Sequence, residues 1–94
     1  MAEQPAYAPS KQQLRNRLRR IEGQVRGVAR MVDEERYCID VLTQISAIQR
    51  ALDRVALQLV SDHTRECVIG ASGKQQVERT DELLTAIDRL VSRR

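Results

Sequence analysis

The chain has 94 residues, a formal net charge of +3 and charged side chains at 31%, which makes it one domain at most and excludes a large two-layer enzyme. Aromatic residues are 2% of the chain, two tyrosines with neither Phe nor Trp, beside four glycines and two prolines. Leu, Ile, Val and Ala must therefore build the core, and the scarcity of turn residues excludes a fold of many short strands.

Fourteen of the sixteen cations are Arg, whose planar fork grips phosphate oxygens bidentately where Lys offers a point charge. Arg is also common on solvated helix faces, so charge alone leaves nucleic-acid binding and a plain solvated surface both open. The chain does not open on a charged segment followed by an apolar run, and eighteen apolar residues nowhere sit together. Neither a signal peptide nor a membrane span is predicted, and a cytoplasmic location is expected. Two Cys there read as reduced thiols rather than as a disulfide framework.

Residues 1–9 (MAEQPAYAP) show no periodicity and read as a disordered tail; residues 10–94 read as a single domain. Ser10 and Gln13 form an S-x-x-Q capping box, after which Leu14, Leu18, Ile21, Val25, Val28 and Val32 recur at steps of four and three. This is a first amphipathic helix. Gly23 and Gly27 within it either admit a neighbouring helix closely or simply cost about 1 kcal/mol each relative to Ala. A second stripe runs through Val41, Leu42, Ile45, Ile48, Leu52, Val55, Leu59 and Val60. Between the two lies Asp33-Glu34-Glu35-Arg36, where a break is expected, with Asp33 as candidate cap of the second helix. Gly70-Ala71-Ser72-Gly73 is a stop and turn, followed by a third helix marked by Val77, Leu83, Leu84, Ile87, Leu90 and Val91. The prediction is an all-α chain of three helices.

One His and two Cys fall at the two ends of the second helix: Cys38, His63 and Cys67. At ~100° per residue, His63 and Cys67 both return to within about 20° of the face of Cys38 on a straight helix. At ~1.5 Å per residue they lie roughly 37 and 43 Å from it along the axis, beyond the reach of any shared ion or disulfide. An antiparallel second copy resolves this, because a two-fold axis near Ala51 and Leu52 carries Cys38 of one chain to His63 and Cys67 of the other. Two identical sites per dimer follow, and the apolar residues between supply the seam. Taken singly, each Cys could equally be a small buried hydrophobe and His63 a dipole-stabilising residue. Two thiolates and one imidazole form a soft set suited to Cu(I); zinc would want a fourth donor such as Glu66, Glu82 or water, and nickel or cobalt would want further His.

The segments RLRRIEGQVRGVARMV and RYCIDVLTQISAIQRALDRVALQLV, with the step from His63 to Cys67, make the chain resemble the copper-sensitive operon repressor family over residues 10 to 92. The resemblance implies a three-helix protomer, an antiparallel dimer forming a four-helix bundle, and a dimer-of-dimers tetramer. It implies a Cu(I) site between subunits, with Cys38 from one chain and His63 and Cys67 from the other, whose filling releases operator DNA. It also places Tyr37 and, after a one-residue gap, Glu82 beside the metal, where they would orient the imidazole. Nickel and cobalt sensors of the family carry an N-terminal His that is absent here, formaldehyde sensors lack the second Cys, and persulfide sensors lack the His.

No helix-turn-helix pair is evident, so DNA contact must come from a basic surface. Arg15, Arg17, Arg19, Arg20, Arg26 and Arg30 lie off the apolar stripe of the first helix, and Arg50 and Arg54 sit ~120 to 160° from the metal face of the second. The resemblance places DNA contacts on Arg17 and Arg54; the alternative is a solvated face with bridges such as Arg50 to Asp53. Rival readings are a persulfide, thiol or other-metal sensor of the same family, a copper buffer, or a purely structural helical dimer. A single His with no Ser-His-Asp set, no phosphate loop and no convergent carboxylates argues against an enzyme.

Overall fold

The computed structural model describes residues 5–92. The first four residues of the segment read as a disordered tail lie outside it, as do the last two of the chain. A 3-10 turn at Ala8–Ser10 leads into α1 (Lys11–Asp33); α2 (Cys38–His63) passes into a π-helical segment, Thr64–Ile69, and α3 is Gly73–Ser92. Among the described residues there is no strand, in keeping with a core of aliphatic side chains and few turn residues. The chain divides into two compact units, one of them Pro9–Leu57 and the other built chiefly from Gln58 onward.

Ser10 stands at the N-cap of α1, but its hydroxyl makes no cap bond, so the expected capping box does not form from its side. The Ala8 amide, donating to the Pro5 carbonyl at 2.9 Å, closes a turn just before α1 instead. The apolar stripe of α1 splits into two lines at seven-residue steps. Leu14 and Ile21 are buried and Val28 half-buried, whereas Leu18, Val25 and Val32 are exposed. From α2, Val55 completes the buried cluster, with Ile48 and Ala51 packed against it. Among the described residues no other helix approaches Gly23 or Gly27: a Cβ at the first would meet only the end of Arg26 at 3.9 Å, and at the second nothing within 4 Å.

The break between the first two helices falls where it is predicted, by a different device. Asp33 is the last residue of α1, not the cap of α2. The Arg36 amide donates to the Met31 carbonyl at 2.9 Å and the Glu35 amide to the Val32 carbonyl at 3.0 Å, the two bonds of a Schellman closure. That closure requires a left-handed residue, and Glu35 supplies it with φ of 55°. Glycine would take this conformation freely, whereas a residue with a Cβ is strained by roughly 1–2 kcal/mol. The carbonyl of Tyr37 then accepts from the Asp40 and Val41 amides at 3.0 and 3.3 Å, which starts α2 at Cys38.

In the second unit α2 does not run straight on to Cys67. From Thr64 the ladder widens to the π pattern, and the Gly70 amide donates to the carbonyl of Arg65, five residues back, at 3.2 Å. The Thr64 hydroxyl donates to the Val60 carbonyl at 2.7 Å at this junction, a back-bond of the kind that bends helices. Gly70 ends the segment under a steric demand, because a Cβ there would sit 2.6 Å from the Glu66 carbonyl oxygen. Gly73, with φ of 60°, opens α3, and the side-chain amide of Gln76 on its first turn donates to the Val68 carbonyl at 3.0 Å. Sequence reading places the stop and turn at Gly70–Gly73 correctly and misses the widened turn before it.

Candidate metal centre and nucleic-acid interface

Each candidate donor is positioned by a helix end. Cys38 is the first residue of α2 and exposed, and His63 is its last and half-buried. Cys67 lies within the π segment, half-buried, and both cysteines are free thiols. The straight-helix arithmetic therefore applies to His63 but not to Cys67. An α-helix carries a residue four places on about 40° past the first, whereas the wider π turn needs more than four residues to come round. The widened turn thus shifts Cys67 back toward the line of His63. Among the described residues of the single chain, no three His, Cys, Asp or Glu side chains converge to hold an ion. Two thiols and an imidazole, separated along one helix and its extension, suit a soft ion only when a second chain supplies the missing donor.

Between Cys38 and His63, α2 carries a periodic apolar line. Steps of four and three lead from Cys38 through Leu42, Ile45, Gln49, Leu52, Ala56 and Leu59 to His63, the repeat of a helix-pairing seam. Leu42, Ile45, Leu52 and Leu59 along it are 37–57% exposed. They form an exposed apolar line of the period that helix pairing uses. Only Leu14, Ile21 and Val55 are buried hydrophobics among the described residues, and at about 1.5–3 kcal/mol each they are a small core for a chain of this length.

The arginines separate into two groups. Arg17 and Arg20 of α1 and Arg50 and Arg54 of α2 line one groove of about 290 Å³ in the first unit. Its lining includes no carboxylate. Arg15 and Arg19 are exposed and do not line it. Gln24, which sequence reasoning passes over, also lines the groove, and its Oε1 is buried without a hydrogen-bond partner. Tyr37 is 68% exposed just before α2. Glu82 is exposed on α3.

A family model for metal-sensitive transcriptional repressors matches residues 10–89. The chain belongs to this family. Among such repressors it is 49% identical over 88 residues to the copper-sensing transcriptional repressor RicR of Mycobacterium tuberculosis strain H37Rv, a match covering 90% of this chain and 92% of that protein. The crystal structure of the copper-sensing repressor CsoR with Cu(I) from Geobacillus thermodenitrificans NG80-2 superposes with a TM-score of 0.81 at 42% identity, covering 97% of this chain and 94% of that one. The nickel-responsive transcriptional regulator InrS superposes with a TM-score of 0.72 at 47% identity, covering 83% and 89%. No helix among the described residues of this metal-sensitive repressor is long and apolar enough to cross a membrane. Gln76 is a further residue that periodicity does not reveal: it ties the first turn of α3 to the carbonyl next to Cys67.

Proposed function

We propose that this chain is a cytoplasmic, Cu(I)-responsive repressor without catalytic activity that binds operator DNA as an antiparallel dimer, paired into a tetramer, and lets it go when copper is present. The observation that carries the reading is the open seam on α2 with a thiol at one end and an imidazole at the other. Its midpoint falls between Arg50 and Ala51. A two-fold axis there sets Leu42 against Leu59, Ile45 against Ala56, and Cys38 of one chain against His63 of the next, with Cys67 on the adjoining turn. Burial of the seam and assembly of the donor set are then one event.

Bound Cu(I) would supply soft bonds that join thiolates and imidazole of different chains. The chain's own residues do the rest. Cys38 holds the N-terminal end of one α2, and His63 and Cys67 hold the C-terminal end of the other. Drawing those ends together would move α2, and with it Arg50 and Arg54, relative to DNA phosphates. Tyr37, next to Cys38, and Glu82, on α3, would orient the imidazole and pass the change to the third helix. Arg17, Arg20, Arg50 and Arg54 carry the phosphate contact, with Arg15 and Arg19 adding diffuse attraction. The likeness to a nickel-responsive regulator names the main alternative metal, and His63 as the one His in the chain disfavours it.

The test is a gel shift with the DNA upstream of this protein's own gene, with and without Cu(I), at two salt concentrations. Wild type should bind the DNA and lose about tenfold or more in affinity with copper, the scale of ordinary allosteric coupling. Cys38→Ala should bind equally and stay bound. A copper buffer would show no shift at all, and release of the Cys38→Ala variant by copper would defeat the proposed site.

A further inference from the structure

The arginine groove has more than a flat phosphate-binding stripe needs. Four arginines line one cavity of about 290 Å³, near the small end of ligand-sized pockets. The rest of its lining is Gln24 and the apolar residues Ile21, Ala47 and Ala51. Like charges gathered around one small cavity repel one another, and together they attract an anion more strongly than a single Arg does. The lining supplies no carboxylate to offset them. A backbone phosphodiester brings one negative charge. A terminal phosphate brings about two, and a diphosphate more, within a body small enough for the cavity.

We propose that this groove is a binding site for a soluble diphosphate group, inorganic or carried on a nucleoside, which competes with operator DNA for the same arginines. Arg17 and Arg20 approach it from α1, and Arg50 and Arg54 from α2, so that phosphate oxygens are gripped bidentately from two helices. The amide of Gln24, whose oxygen has no partner, is the one uncharged polar side chain of the lining and is placed to hydrogen-bond whatever the diphosphate carries. The groove stays open when α2 pairs with a second copy. Nine steps of ~100° put Arg54 about 180° around the helix from Ile45 in the seam. No metal donor lines the groove, so the copper-free protein should bind the anion, and its occupancy would make repression answer to the level of soluble phosphate compounds as well as to metal.

The experiment is a calorimetric titration of the full-length, copper-free protein with inorganic pyrophosphate, and in separate arms with a nucleoside diphosphate and with sulfate, all at constant ionic strength. Saturation at one pyrophosphate per chain, at least tenfold tighter than sulfate, is expected. Arg20→Gln should weaken it about tenfold or more, while Arg19→Gln, outside the groove, and Cys38→Ala should leave it unchanged. Equal binding of the nucleoside diphosphate identifies the phosphates alone as the determinant; tighter binding that Gln24→Leu abolishes identifies the nucleotide. Binding that never saturates, or that Arg19→Gln and Arg20→Gln weaken alike, overturns the site. Operator binding without pyrophosphate binding would overturn this inference and leave the repressor reading intact; pyrophosphate binding without operator binding would do the reverse.

Discussion

The last turn of α1 and the extension of α2 both have to satisfy carbonyls that run out of helical partners, and they do so in opposite ways. After α1 the chain stops within three residues, through two backbone bonds and one left-handed Glu35. After α2 it does not stop. The ladder loosens into six π-helical residues, Thr64–Ile69, and closes only at Gly70. The abrupt ending is made almost wholly of backbone and tolerates a poorly suited residue. The gradual one needs particular side chains, the Thr64 hydroxyl on Val60 and the Gln76 amide on Val68, and a residue without Cβ at Gly70. The demanding ending is the one that contains Cys67. Single π turns inside helices are frequently functional, and here the widened turn positions a candidate ligand.

The largest effect should follow from the steric demand. Gly70→Ala places a Cβ against the Glu66 carbonyl, which a backbone atom cannot evade by rotating. We expect a loss of about 2 kcal/mol or more, together with a weakened copper response as the turn around Cys67 rearranges. Urea denaturation at fixed protomer concentration measures the first and DNA release by copper the second. A fully stable Gly70→Ala protein would mean the π turn relaxes at no cost, and the contrast between the two endings would vanish.

A smaller effect is expected of Gln76→Leu. The Val68 carbonyl still accepts from the Ala71 amide at 3.2 Å, so the net cost is about 1 kcal/mol. Hydrogen exchange of the copper-free protein should show faster exchange confined to the Thr64–Ile69 amides and the first turn of α3. Uniform acceleration along all three helices would show that Gln76 acts on global stability and not on this turn. The smallest effect has the opposite sign: Glu35→Gly removes left-handed strain but frees the unfolded chain, for a net gain of about 0.5 kcal/mol. Destabilisation by Glu35→Gly would show that the Glu side chain contributes more at the first turn than its φ costs.

The parts of the fold that periodicity controls were legible. The four-and-three steps of Leu14 to Val32 and of Val41 to Val60 predict α1 and α2, and Gly70 and Gly73 predict the stop before α3, because apolar spacing and glycine act locally. Asp33 as a cap was a misreading, since acidic residues mark a helix start only statistically whereas the Schellman bonds depend on backbone angles that no side chain announces. The straight path to Cys67 failed for a similar reason: T-R-E-C-V-I holds β-branched Thr64, Val68 and Ile69, which weaken a helix, but weak propensity does not specify a π turn. At the candidate site, donor identity and the spacing of Cys38 and His63 were readable. Arg17 and Arg54 came from family likeness, and their grouping with Arg20, Arg50 and Gln24 was not visible, because convergence between two helices depends on how those helices cross.

Composition and spacing alone determined that this protein is helical, that its soft donors stand at opposite ends of one long helix, and that its cations are nearly all Arg, since each of these is a property of residue type and of the 3.6-residue turn. Tertiary structure alone decided which arginines share a groove, which half of each apolar stripe stays open, and where the helix before Cys67 loosens. Those outcomes rest on packing between segments distant in the chain and on the steric fit of single backbone atoms, and neither is encoded in any short stretch of sequence.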